Sequence, residues 1–482
     1  MPRDGPVSMT YWDRFLSKKN FLLAWRRIST GTNIYYKRFF RNAYLGYEVS
    51  LNANIDDLIA RIKGGAFVPC PPERIFIPKP SGLQRPITLL STEDQIVWQA
   101  LANLLQTKWK SRRSGVENIV VFSNISNPDT IFFFENWRLS YRRFLSQIKG
   151  TWRHNKWVAH FDLAAYYDTI SHDHVLRLIN PKELDSDISL FVKKILKCWS
   201  SEKSSFTFSH GIPQGPVASS YIAELILLDV DTKMLKLQNI FYYLRYVDDI
   251  RLFAVDEDNV RKGIINLEQL CRNKGLIPQS GKTSIFYAQT EQEAVGNDLS
   301  LSVDDVGFPQ SERILLESID VEKKEVIDVS KFKFFLFRGQ PMEKHLRTIV
   351  TLSEKYPDLS DAFVAHLRRF TGSDYLINHL ESLITRKKFP YEYVEGNMWL
   401  LLSDVDPDRK SRRLCEQAKV KLLEPRSDIY LRYGLLTYLA PFACEMGRRV
   451  YNKYLYGESV LQALLLPHMA ANFDRDRYIS VL

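Results

Sequence analysis

The spacing of apolar residues changes character several times along the chain. Through residues 10–65 it is helical, with basic polar positions, and Ile55, Leu58, Ile59 and Ile62 predict a helix over 54–62. Residues 66–90 are proline-rich and read as extended. A helix opens near Ser91 or Thr92. Thr92 and Gln95 have capping-box spacing, and Ile96, Val97, Ala100, Leu101, Leu104 and Leu105 give the helix a broad apolar face. Over 111–150 the periodicity is ambiguous, and Phe132-Phe133-Phe134 fits strand or helix.

From about residue 155 short strand patterns dominate. The run 158–161 ends in Asp162, and a helical stretch with His174, Val175, Leu178 and Ile179 opens at Ser171. Residues 209–220 form a Gly/Pro-punctuated loop leading into a helix, with Pro216 near its first position and Ile222, Leu225 and Ile226 on one face. Residues 241–253 carry β-branched and aromatic residues on both sides of Asp248-Asp249, which predicts a hairpin. Gly281-Lys282-Thr283 precedes another short strand over 284–287. Beyond 306–309 helical segments follow one another (346–352, 363–367, 376–384, 430–439 and 460–466), broken at Pro357, Pro390, Asp406-Pro407 and Pro425. They read as antiparallel helix pairs.

Charge changes the picture next. The net charge of +10 suits a polyanionic partner, because phosphate neutralisation dominates affinity for nucleic acid. Basic and aromatic residues interleave at Trp25-Arg26-Arg27, over 35–41, at Lys108-Trp109-Lys110 with Arg112-Arg113, and at Trp137-Arg138 near Tyr141-Arg142-Arg143-Phe144, a mixture suited to backbone contact and base stacking. Arg386-Lys387-Lys388, Arg409-Lys410 and Arg412-Arg413 are further candidates. The five cysteines have neither zinc-ligand spacing nor an even count, which fits a reducing compartment. No signal peptide or membrane-length apolar run stands in the sequence, so a cytoplasmic protein without a membrane partner is expected.

Two adjacent carboxylates on a hairpin tip repel each other, and a cation relieves that repulsion. Asp248 and Asp249 therefore suggest a metal site on a tight turn. Arg245, just before it, either contacts a nucleic-acid backbone or pairs with a carboxylate.

Asp162 with its aromatic followers, the Pro213-Gln214-Gly215 loop, Tyr246-Val247-Asp248-Asp249 and Lys282-Thr283 occur in an order that resembles the palm of reverse transcriptases. The segment 74–87, with Lys79 and Arg85 flanking Pro80-Ser81-Gly82, is similar to the nucleotide-handling strands of bacterial and group II intron-type enzymes. The resemblance covers roughly residues 15–290. Gln95 departs from the Asp-Arg pair common at that place. The helical last third resembles, more distantly, the defence-associated abortive-infection and "unknown group" enzymes.

The resemblance implies an α+β right-hand polymerase, its fingers and palm built on an antiparallel sheet, followed by an all-α thumb and C-terminal helical domain. The boundaries expected are 1–155 for N-terminal helices and fingers, 156–305 for the palm and 306–482 for the helical remainder. It implies RNA-directed DNA synthesis from dNTPs on an RNA template, with DNA as product. If the defence likeness holds, the template is a dedicated non-coding RNA and the role antiviral. Two Mg²⁺ ions (Mn²⁺ also suits oxygen ligands) are expected on Asp162 and Asp248, with Asp249 supporting and the Leu163 carbonyl as a further ligand. Lys79 and Arg85 are expected at the triphosphate, Tyr167 as a gate against a ribose 2′-hydroxyl, Gln214 and Gly215 near template and nucleotide, and Lys282 as a proton donor to pyrophosphate. Tyr166 and Tyr167, read as adjacent strand residues, point opposite ways, so at most one is the gate. Two other functions stay open: template-independent or protein-primed synthesis by the same site, and an RNA-binding scaffold with a vestigial palm. Whether copies of the chain associate is also open.

Overall fold

A computed structural model describes residues 10–442 except 31–33, 129, 180–185, 201–207, 297–306, 387–388, 423 and 425–427. Contacts within the chain divide it into two compact units, one of residues 1–72 and 88–297, the other of 73–87 and 298–482.

The first unit is built on a four-stranded antiparallel sheet in the order Tyr242–Tyr246, Asp249–Ala254, Trp157–Phe161, Ser284–Tyr287. Asp162 stands one residue beyond its strand, as the apolar run predicts. The expected hairpin is present, with arms Tyr242–Tyr246 and Asp249–Ala254. The helix Val217–Leu235 starts behind Pro216 and buries not only Ile222, Leu225 and Ile226 but residues all round its circumference. A helix of that kind belongs to a protein interior. The predicted 54–62 helix spans Leu51–Lys63, with Ile55, Leu58, Ile59 and Ile62 buried. The ambiguous stretch resolves into irregular chain carrying isolated bridges, Ser126 to Phe134 among them, followed by the helix Trp137–Trp152.

The capping box differs from the sequence expectation. The helix Thr92–Ser114 is capped by Ser91, whose Oγ accepts from Asp94 N–H, so Asp94 fills the place expected for Gln95. Gln95 lies inside, where its amide donates to the Leu90 carbonyl (2.8 Å) and accepts from Tyr44 Oη. Asp94 also accepts from Cys70 N–H at 3.0 Å.

The second unit holds the hairpin Glu73–Pro78 and Gln84–Leu89 up to residue 87, together with the helices that follow residue 307. The helices expected at 346–352, 363–367, 376–384 and 430–439 appear as Leu346–Lys355, Ser360–Leu367, Asp374–Thr385 and Ile429–Leu439. The 460–466 helix lies outside the described residues. One two-residue strand pair, Ile319–Asp320 with Glu325–Val326, departs from an all-helical reading. The helices Glu392–Ser403 and Ile429–Leu439 meet at two glycines. A Cβ on Gly434 would lie 2.7 Å from the Gly396 carbonyl oxygen, so the backbones touch where no side chain fits.

Two outcomes follow. Gly434→Ala forces these helices apart and lowers stability by roughly 1–3 kcal/mol in urea unfolding. Burial pushes the Asp94 carboxyl up to about 7, above its unfolded value of 3.8. The folded state therefore keeps this proton longer, and the Asp94 contribution to stability falls as pH rises from about 4 to 7. Compared by urea unfolding across that window, Asp94→Asn shows a flatter pH dependence than the wild type.

Candidate active site

The sheet register brings the acidic residues to one sheet end. Phe161 pairs with Ile250, so the next positions outward are Asp162 and Asp249. Tyr246 pairs with Asp249 and closes the hairpin, leaving Val247-Asp248 as a two-residue turn. One sheet end thus gathers the three aspartates expected from sequence.

Cationic side chains already engage two of them. Lys282 Nζ lies 2.7 Å from Asp162 Oδ2. Arg251 reaches back two residues along its own strand, a spacing that puts both side chains on one face, and its Nη2 lies 3.1 Å from Asp249 Oδ2. The same guanidinium donates through Nη1 to the Ala294 and Val295 carbonyls, 2.7 Å each, at the end of the helix Glu291–Val295. Among the described residues, no three acidic, imidazole or thiol groups converge as a metal cluster. The donors at this sheet end are nonetheless hard oxygens, and the Lys282 ammonium sits where a carboxylate calls for positive charge.

The remaining candidates separate into groups. Leu163 stands opposite Pro278, which has no N–H with which to claim its carbonyl, and Gln279 N–H donates to the Asp162 carbonyl instead (2.8 Å). Tyr166 and Tyr167 are not on a strand but in one helical turn, Tyr166–Thr169, entered through left-handed Ala165 (φ 46°). Successive helical positions diverge by about 100°. Tyr166 is buried and donates to the Ala223 carbonyl (2.6 Å), whereas half-buried Tyr167 reaches Ser220 Oγ at 3.3 Å. The Gln214 carbonyl accepts from Thr88 N–H (2.7 Å), and Gly215 adopts φ 132°, a conformation suited to glycine. Lys79 and Arg85 lie on the hairpin grouped with the second unit, where Lys79 N–H closes the turn onto the Leu83 carbonyl (2.8 Å).

Beneath the turn lies a buried charge network whose acids the sequence did not single out, although pairing with a carboxylate is one of the two alternatives it offers for Arg245. Arg245 pairs with carboxylates. Its Nε and Nη2 grip Asp231 at 2.8 and 2.7 Å, and Nη1 lies 2.8 Å from Glu224 Oε2. That last contact is an ion pair rather than an aligned hydrogen bond. The three side chains are each 1% exposed. Burial alone would lower the Arg245 pKa, but Asp231 and Glu224 outweigh it and hold the guanidinium well above its ordinary value. Glu224 Oε1 accepts from Ser123 Oγ (2.6 Å) and Asn124 Nδ2 (2.9 Å). Tyr243 Oη donates to Asp231 at 2.8 Å. The available signal was Glu224 itself, the only charge in an otherwise apolar run over 221–228. A charge inside an apolar helix must be paired.

Several basic-aromatic clusters turn out to serve the fold. Trp25, Arg27 and Arg113 are buried, as are Phe39 and Phe40. Arg27 donates to Asn103 and Gln106, and Arg113 to Glu117. Arg409 donates to the Gly372 carbonyl (3.0 Å) and Lys410 to that of Ser403 (2.9 Å). Lys387 and Lys388 lie outside the described residues. Trp137 remains on the surface, 58% exposed with the Arg138 guanidinium 5.7 Å from its ring.

Arg251→Ala strips two buried carbonyls of their donor, and urea unfolding should register a loss of roughly 2–5 kcal/mol. Asp249→Asn, at a side chain 43% exposed, should cost less than about 1 kcal/mol.

Comparison with known proteins gives this geometry a setting. Residues 77–314 match the family model described as reverse transcriptase (RNA-dependent DNA polymerase). The chain is 25% identical over 238 residues to the "Uncharacterized 91 kDa protein in cob intron" of Schizosaccharomyces pombe, covering 48% of this chain and 27% of that protein. It is 26% identical over 221 residues to the group II intron-encoded protein LtrA of Lactococcus lactis subsp. cremoris (43% and 34% covered). It is also 26% identical over 190 residues to protein YkfC of Escherichia coli K12 (38% and 45% covered). Among solved structures, apo telomerase from Candida tropicalis overlaps 88% of this chain and 72% of its own at 11% identity and a TM-score of 0.35. The chain spans less than half the length of each of these curated relatives. Over residues 77–314, it carries a reverse transcriptase domain with group II intron-encoded proteins among its relatives.

Proposed function

We propose that this protein is an RNA-directed DNA polymerase that extends a primer 3′-hydroxyl with deoxynucleotides on an RNA template. The observation that carries the reading is the register placing Asp162 beside the Val247-Asp248 turn, inside the segment that matches the reverse transcriptase family.

Asp162, Asp248 and the Leu163 carbonyl would hold two Mg²⁺ ions, with Mn²⁺ an acceptable substitute. Asp249, tied to Arg251, serves mainly to support. When bound, the ions acidify the primer hydroxyl and neutralise charge on the triphosphate and the departing pyrophosphate. Lys282 screens the Asp162 carboxylate in their absence and is the group to donate a proton to pyrophosphate. Lys79 and Arg85 supply a point charge and a planar fork for the β- and γ-phosphates. Tyr167, the more accessible of the two tyrosines, gates against the 2′-hydroxyl, while Tyr166 is committed to the core. The Gln214-Gly215 backbone approaches template and nucleotide. In this reading residues 1–155 provide N-terminal helices and fingers, 156–305 the palm, and 306–482 a helical thumb and C-terminal domain.

We further propose, on the distant resemblance of the last third to defence-associated enzymes, that the template is an associated non-coding RNA and the setting an antiviral, cytoplasmic one. Among the described residues no helix is long and apolar enough to cross a membrane.

Purified protein given a primed RNA template, dNTPs and Mg²⁺ should incorporate label, and chelation should stop it. The Asp248→Ala, Asp249→Ala double variant should lose incorporation while still binding RNA. Full activity in that variant would remove the catalytic assignment.

A further inference from the structure

We propose that Ser123, Glu224 and Asp231, acting with Arg245 through the backbone of Val247, are positioning residues that aim Asp248. The inference rests on the reading of Asp248 as catalytic. Val247, first residue of the turn, has φ 58°. That left-handed conformation is unfavourable for a β-branched side chain and persists only where the surroundings over-determine it.

Here they do. Val247 N–H donates to Ser123 Oγ at 2.7 Å, and its carbonyl accepts from Arg245 Nη1 at 2.9 Å. Both polar groups of one strained residue are therefore held, and the held carbonyl belongs to the peptide that leads into Asp248. Both holds return to one carboxylate. Glu224 Oε1 accepts from the Ser123 hydroxyl at 2.6 Å, so the serine lone pairs are left for Val247 N–H. Glu224 Oε2 lies 2.8 Å from the same Arg245 nitrogen that reaches Val247. Asp231 fixes the other edge of the guanidinium with two parallel contacts, so the fork cannot rotate. The helix Val217–Leu235 carries both acids seven residues apart, two helical turns, and so presents them on one face toward the hairpin. A network needed only for core cohesion has no reason to end on both sides of the turn residue that precedes the catalytic carboxylate.

The test uses the full chain in primer extension. Ser123→Ala should lower kcat about 10- to 100-fold while the KM for dNTP and the RNA dissociation constant change less than about twofold, because misplacement of a reacting group costs rate rather than binding. On a Val247→Gly background, where a positive φ carries no strain, the same serine change should cost at least about threefold less. Unchanged kcat in Ser123→Ala, or an equal loss on both backgrounds, overturns the proposal. If Ser123→Ala does not fold, Val247→Gly alone decides: it should raise the melting temperature and lower kcat, and no change in either refutes the strained, held turn. If wild-type protein incorporates nothing with Mg²⁺ or Mn²⁺, the polymerase reading fails by itself. Amide exchange then decides the positioning, with Val247 N–H protected in the wild type and fast in Ser123→Ala, and equal exchange overturning it.

Discussion

The pairing of Arg245 with Asp231 and Glu224 is the interaction around which the first unit is arranged. Removing charged groups from water is expensive, and attraction repays it only when geometry and hydrogen bonding are complete. The bonding here draws on three parts of the chain. The helix Val217–Leu235 supplies both acids, the hairpin supplies the guanidinium, and the irregular segment around Ser123 and Asn124 supplies the donors to Glu224. That segment also runs along the outer hairpin arm. Arg245 N–H donates to the Val120 carbonyl (2.8 Å) and its carbonyl accepts from Phe122 N–H (3.0 Å). The sheet edge is thereby covered rather than left open for another chain. Arg113, buried beside Glu117 and 3.7 Å from Glu224, brings a second positive charge to Glu224.

The two faces of the hairpin are held differently. Arg245 pairs across the ladder with Ile250, and Arg251 with Leu244, so the two guanidinium groups project to opposite sides of the sheet. One anchors the turn to the acidic helix beneath. The other ties Asp249 to the carbonyl end of Glu291–Val295. Between them Asp248 sits on the turn proper, between neighbours whose positions are set. The two guanidinium groups thus fix the chain on both sides of Asp248.

Much of this was legible in the chain. Strand and helix patterns located Asp162, the hairpin and the helix behind Pro216, because period-2 and period-3.6 spacing are local properties. Motif order identified the chemistry. The cap of Thr92–Ser114 was misread by one residue, since Ser91 and Thr92 are both able caps and only burial of Gln95 against Tyr44 and Leu90 selects Ser91. The basic-aromatic clusters divide: Arg27 and Arg113 are drawn into the interior, while Arg26, Lys110, Arg112, Arg138, Arg142 and Arg143 stay exposed. Composition cannot tell an arginine that meets phosphate from one, such as Arg27, that donates to three backbone carbonyls and two amides inside.

The sequence alone marked the strand ending at Asp162, the hairpin tip at Asp248-Asp249 and the loop before Pro216, because each is announced by short-range residue chemistry; that they belong to one site is what the family resemblance implies. Only the tertiary structure decided what supports them. The partner of Ser123 is Glu224, about a hundred positions away, and Lys282 finds Asp162 across a comparable distance. Such contacts leave no periodicity to read. Their one trace is an acid in an apolar helix or an arginine beside a turn, and its meaning depends on which charge the fold brings to meet it.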